Sequence, residues 1–207
     1  MVEFLRISAD SFSIFSDFNR KYLSSDEQIS ANDYSSIAHE YNDISKNNPI
    51  FAEIVDGKYV DLANKNMLKF IIALSYSRGV SNPRDLNKYC PFSNCVYGEI
   101  SYDCMNLILL ELNLKEDIRF IDLGSGVGQL VVQLAGSFRC KSCIGIEISP
   151  IPYNYSLKLA TEFRHIMEFF GKYYSDFEIH FGNFIDDKFS PYIFSSNFIF
   201  GNNYIYG

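Results

Sequence analysis

The run Phe120-Ile121-Asp122-Leu123-Gly124-Ser125-Gly126-Val127-Gly128-Gln129 constrains the fold more than any other stretch of this 207-residue chain. Apolar residues end in an acid, and three glycines at alternate positions then open onto a helical pattern over residues 129–138. Glycines in such a place let the backbone turn sharply and let a ligand approach it with no Cβ in the way. Strand, tight loop and helix therefore follow one another, with a ligand against the loop.

Around this run, strands and helices alternate. Residues 118–123, 143–148, 177–181 and 197–201 read as strands, and residues 129–138 and 152–170 as helices. The longer helix has Leu159, Phe163, Ile166 and Phe170 on its apolar face. Such alternation implies a parallel sheet, so the fold class is α/β, a Rossmann-like sheet over residues 113–207. Residues 33–112 read as a mainly α-helical N-terminal part. In it Ile37, Tyr41 and Ile44 follow the candidate N-cap Asp33. A helix over residues 66–78 lines up Leu68, Ile71, Ile72 and Ser75 and is expected to stop at Gly79. A further amphipathic helix covers residues 103–112, after a turn-rich stretch at 87–98. Residues 1–32 show no clear period and read as a poorly defined lead-in.

Composition supports a packed core, with 47% hydrophobic and 16% aromatic residues. The net charge of −7 argues against a phosphate-gripping surface, so direct DNA binding by this chain alone is not expected. No apolar run reaches the roughly 18 residues of a membrane span, and no membrane partner is expected. Five irregularly spaced cysteines, with no signal-like amino terminus, point to a reducing compartment inside the cell. Cys140 and Cys143 form a C-x-x-C with no second pair at zinc spacing and read as a surface loop, while His39, His165 and His180 are scattered. No metal site is expected.

The ligand follows from spacing and charge. A dinucleotide fingerprint needs its third glycine where this chain has Gln129. Asp122, just before Gly124, would repel phosphates but suits the cationic methionine end of S-adenosylmethionine (SAM). Glu147, ending the second strand, can accept hydrogen bonds from both ribose hydroxyls; the plainer alternative is a solvated strand end. A structural turn or another nucleotide stays open for the glycine loop taken alone. Gly182-Asn183-Phe184, after the third strand, suits an adenine read by a polar side chain and an aromatic ring, or else is a turn with a core Phe. The fourth strand runs into Asn202-Asn203-Tyr204-Ile205-Tyr206-Gly207, which puts amides and aromatics where a sulfonium methyl would point; an Asn-rich turn is the alternative.

These blocks, together with Tyr97-Gly98-Glu99-Ile100-Ser101-Tyr102-Asp103 and the Leu86-Asn87-Lys88-Tyr89 and Pro91-Phe92-Ser93 segments, resemble one family in order and spacing from Asp33 to Gly207. It is the disruptor-of-telomeric-silencing, non-SET family of histone-lysine N-methyltransferases, the enzymes that methylate lysine seventy-nine of histone three. The resemblance implies a SAM-dependent enzyme of the nucleus with the nucleosome as partner. It implies that Tyr97 and Glu99 fold over the cofactor, and that Asp122, Gly124 and Gln129 surround its amino-acid end. Glu147 takes the ribose, Asn183 and Phe184 the adenine. Asn202 lies beside the transferring methyl, with Tyr204 and Tyr206 near the target-lysine channel. The family's sheet also continues through three more strands beyond the position of Gly207, so the sheet here is expected to be truncated after its fourth strand.

Four positions depart from the family pattern: Ile100 stands for Thr, Asn183 for Asp, and Tyr204 and Tyr206 for Phe. Each lost hydrogen bond at the first two is expected to weaken SAM binding by about 1 kcal/mol. Methyl transfer to an amine requires the neutral amine, and holding a lysine neutral at pH 7 against a pKa near 10.4 costs about 4.6 kcal/mol in water. A dry aromatic channel lowers that pKa by desolvation without a dedicated base. Two competing readings are a SAM methyltransferase of another substrate and a SAM-binding module without catalysis; a dehydrogenase is more remote.

Overall fold

The computed structural model describes residues 16–22, 33–46, 61–87, 100–112 and 117–202. Two helices come first, α1 (Ser16–Tyr22) and α2 (Asp33–Lys46). Phe18 and Ile37 are buried, Phe18 meets Tyr41 edge-on at 5.8 Å, and Lys21 donates to Glu40 at 2.7 Å. Helix α1 thus lies inside the stretch read as a lead-in, because seven residues are too few to show a period. The side chain of Asp33, the candidate cap, is outside the described residues.

Next come β1 (Asp61–Leu62), α3 (Lys65–Gly79), a 3-10 turn (Pro83–Asn87) and α4 (Tyr102–Leu112). Asn64 caps α3, its Oδ1 accepting from the Met67 N–H at 2.9 Å. Helix α3 ends at Gly79 as expected, with Gly79 itself outside the left-handed region. Its role is contact: a Cβ there would lie 2.7 Å from the backbone of Leu159. The missing side chain lets α3 press against the long helix that carries Leu159.

The remainder is β2 (Arg119–Leu123), α5 (Gln129–Ser137), β3 (Ser142–Glu147), α6 (Pro150–Phe169), β4 (Lys172–Tyr173), β5 (Phe177–Phe181), a 3-10 turn (Asp187–Phe189), α7 (Ser190–Ser195) and β6 (Phe198–Gly201). The four strands expected from the sequence form one parallel sheet in the order β5-β3-β2-β6. The two-residue strands β1 and β4 pair separately, also in parallel. The fold is mixed α/β with parallel sheets.

One apolar cluster joins the helical part to one face of the sheet, from Met67, Leu68, Ile71 and Ile72 of α3 through Met105 and Leu109 of α4 to Phe120, Val131, Leu134, Leu159 and Phe163. The α6 face foreseen from the sequence is buried, Leu159 and Phe163 completely. A smaller cluster of Ile121, Ile144, Ile146 and Phe189 fills the opposite face, so inward residues alternate along β2 and β3. Tyr155 of α6 donates to Asp85 at 3.0 Å and ties the Pro83–Asn87 turn down. The expected surface loop at Cys140 and Cys143 is not one: Cys143 is 1% exposed in β3 and Cys140 packs against the same core. Their spacing carries no burial information, whereas the apolar strand beginning at Ser142 draws Cys143 inward.

Candidate functional site

In an open parallel sheet, ligands settle beyond the carboxyl ends of the strands where the strand order reverses. Here the chain steps outward from β2 through β3 to β5, then returns to place β6 on the other flank of β2. The reversal therefore falls between β2 and β6. The glycine loop leaves β2 at that point, and Asn202 follows β6.

Gly124, Gly126 and Gly128 all have positive φ, 88°, 56° and 78°, where a side chain is strained. Gly128 also packs its backbone on Ile179 and Ser156, and caps α5 with no side-chain bond. Four of the loop's own N–H groups are consumed internally. Gly124 and Ser125 both donate to the Ile146 carbonyl, at 2.9 and 3.0 Å, and Gly128 donates to Ser125 at 2.8 Å. Gly126 donates to Glu147 Oε2 at 2.7 Å. A loop built to cradle phosphates aims such groups at its ligand. In this loop those four do not serve that purpose.

Glu147 is 6% exposed, which excludes the solvated strand end. Its other oxygen, Oε1, accepts from the Ser149 N–H at 2.6 Å, so one carboxylate braces the glycine loop and the entry to α6 together. Sequence spacing gave no sign of this brace. Asp122 is 4% exposed at the end of β2, registered against Gly145 and Phe200 on its two neighbouring strands. Burial first, and the nearby Glu147 second, push its carboxyl up to about 8. Ser125 Oγ is buried with no hydrogen-bond partner and packs over Gly145, where a Cβ would lie 2.7 Å from it. Two buried acids and an unsatisfied hydroxyl thus gather at the loop. A neighbouring cation would favour the charged form of Asp122 that burial and Glu147 disfavour, and an anion would disfavour it further.

The remaining candidate residues lie around this centre. Gln129 is the first residue of α5, partly buried. Asn183 Oδ1 accepts from the Ile185 N–H at 3.2 Å, a turn built by its own side chain, after β5. Phe184 is partly buried and packs on the Ile121, Ile144, Ile146 and Phe189 cluster. Asn202 is exposed. Ile100 packs on the large core just before α4. Tyr97, Glu99, Tyr204 and Tyr206 lie outside the described residues, as does most of the turn-rich stretch. Among the described residues no cluster of His, Cys, Asp or Glu could hold a metal ion.

Comparison with known proteins matches residues 76–207 to the family described as histone methylation protein DOT1. The chain belongs to the DOT1 family. Among individual DOT1 relatives, the H3 lysine-79 specific histone-lysine N-methyltransferase of Drosophila melanogaster is 41% identical over 145 residues, 70% of this chain and 8% of the relative. That of Caenorhabditis elegans is 39% identical over 140 residues, 67% of this chain and 15% of the relative. That of Kluyveromyces lactis is 38% identical over 84 residues, 40% of this chain and 15% of the relative. The chain therefore spans a small part of the length of the DOT1 relatives it matches. The matched residues include the whole four-stranded sheet, the glycine loop and Glu147.

Proposed function

We propose that this chain carries the SAM-binding part of a nuclear histone-lysine N-methyltransferase acting on lysine 79 of histone H3 in nucleosomes. One observation carries the reading. The buried Asp122 and Glu147 carboxylates underlie a glycine loop whose N–H groups at Gly124, Ser125, Gly126 and Gly128 are already spent. Such a site suits a nucleoside bearing positive charge and disfavours a pyrophosphate, which needs both free N–H groups and no carboxylate beside it. Residues 33–112 and 113–207 are read as the helical and the Rossmann-like, cofactor-binding parts of one catalytic domain.

Bound SAM would supply an electrophilic methyl on a sulfonium. The residues of this chain do the rest. Asp122 takes the ammonium of the methionine moiety, Gly124 lets it approach the backbone, and Gln129 closes that end with its amide. Glu147, with one lone pair of each oxygen engaged, keeps capacity to accept from ribose hydroxyls. Asn183 and Phe184 receive the adenine, and Tyr97 and Glu99 close over the cofactor. Asn202 orients groups at the methyl, while Tyr204 and Tyr206 supply the apolar surroundings that lower the target amine's pKa by desolvation. Asn202 is neutral and takes no proton.

A second reading is SAM binding without transfer. Calorimetry with SAM, its demethylated product and NAD, followed by methylation assays on nucleosomes and free histones, separates the possibilities. Heat with SAM and methyl on H3 lysine 79 is expected. Heat with SAM but no transfer to any histone supports the second reading, and heat with NAD alone would overturn both.

A further inference from the structure

Helix α5 is buried from Leu130 to Gly136, and Gln133 is the polar side chain in that run, 1% exposed. A buried amide demands a hydrogen-bond partner, whereas an apolar residue of like volume would fill the same space without that demand. Gln133 Nε2 donates to the Tyr102 carbonyl at 3.1 Å, in the first turn of α4. That turn is itself held fast against α3. Tyr102, 7% exposed, donates its hydroxyl to the Lys65 carbonyl at 2.9 Å, and Asp103 pairs with Lys69. Ser101 Oγ accepts the Cys104 N–H at 3.2 Å at the entry to α4.

At the other end of this tie stands the glycine loop. Gln129, the first residue of α5, lies four positions before Gln133 and therefore on the same helix face. Gly128 caps the helix and its carbonyl accepts the Val132 N–H at 3.1 Å, so the loop runs directly into the turn that Gln133 holds. The loop's hydrogen bonds to Glu147 and to the Ile146 carbonyl both reach the end of β3. Gln133 adds a tie from α5 to the helical part of the chain.

We propose that Gln133 is a positioning residue for the cofactor site: its hydrogen bond to Tyr102 sets the height and rotation of the first turn of α5, and with them Gln129 and the glycine loop. The inference rests on the reading of that loop as the SAM site. Apolar contacts along α5 are non-directional, whereas a hydrogen bond fixes both a length and a direction. Binding groups must be held to within about 0.5 Å of their productive place, so a drift of α5 is felt at the ligand. Gln133 acts through Gln129 and the loop backbone.

The test compares the full chain with Gln133→Met, which keeps the volume and loses the donor, and with Gln133→Glu. SAM calorimetry on protein shown to be folded by circular dichroism should give roughly tenfold weaker affinity for Gln133→Met, the scale of one hydrogen bond. The Gln133→Glu carboxyl, buried and protonated at about pH 6, can donate to Tyr102, and ionised at about pH 9 it cannot. Its affinity relative to wild type at the same pH should be near one at the lower pH and fall about tenfold at the higher. Should Gln133→Met not fold, this comparison decides. Hydrogen exchange of the ligand-free protein reads the loop without SAM: the bonded amides of Gly124, Ser125, Gly126 and Gly128 should exchange faster in Gln133→Met than in wild type, with β3 unchanged. No SAM heat in the wild type would refute the reading of the site, and the exchange result would still decide the role of Gln133. Variants that lose stability but keep wild-type affinity and loop exchange would overturn the proposal.

Discussion

Replacing Asp122 by Asn removes a titrating group while keeping its shape, and the consequence can be worked from the site. Burial beside Glu147 raises the carboxyl from 3.8 to about 8 in the folded, ligand-free protein. The native state therefore holds a proton that the unfolded chain releases, and its stability falls as pH rises from about 4 to about 8. At about 1.36 kcal/mol per unit, the lost stability approaches on the order of 4 kcal/mol at pH 7 and 6 kcal/mol above pH 8, as upper limits. The substituted amide does not titrate. Urea unfolding near pH 4 should show little difference between the variants, and near pH 8 the Asp122→Asn protein should be the more stable by several kcal/mol. The same substitution should lose most SAM affinity, since the ligand's ammonium loses its carboxylate. In the wild type at pH 7 SAM must displace most of one proton from Asp122, so binding heats should vary with the ionisation enthalpy of the buffer. A stability difference that stays constant across pH, or heats independent of the buffer, would refute the reasoning.

Glu147→Ala removes the acceptor for both the Gly126 and Ser149 N–H groups; at about 1.5–3 kcal/mol per charge-assisted bond, denaturant unfolding should show a loss of several kcal/mol, and SAM heats should vanish. Gly79→Ala would drive a Cβ against the Leu159 backbone, which cannot yield as a side-chain tip can. A loss of about 1–3 kcal/mol in thermal or urea unfolding is expected, with the SAM site intact in whatever fraction stays folded. Asn183→Asp should keep the turn to Ile185, because a carboxylate accepts that N–H equally well. It should tighten SAM binding by about 1 kcal/mol by calorimetry, and unchanged affinity would remove Asn183 from the adenine site.

Long periodic elements were readable in advance because their burial pattern is written locally. The face Leu159, Phe163 and Ile166 and the strand Phe177–Phe181 needed no tertiary information. Helix α1, the 3-10 turns, α7 and the β1 with β4 pair were not readable, since elements of two to seven residues carry too few side chains for a period to appear. The end of α3 at Gly79 is legible in the local sequence, whereas its packing role is not. A glycine at a helix end signals a stop in local terms, but here its absent side chain serves a neighbouring helix far along the chain, at Leu159.

The glycine loop, its acid and the alternation of strands and helices were determined by sequence alone, because backbone freedom and hydrophobic period are properties of neighbouring residues. Tertiary structure decided what Asp122 and Glu147 are. Their burial, the two N–H groups that meet Glu147, and the raised carboxyl of Asp122 arise only when β2 and β3 lie side by side. It likewise turned the expected surface loop at Cys140 and Cys143 into a pair anchored in the core. Desolvation depends on everything packed around a group, and no window along the chain contains that.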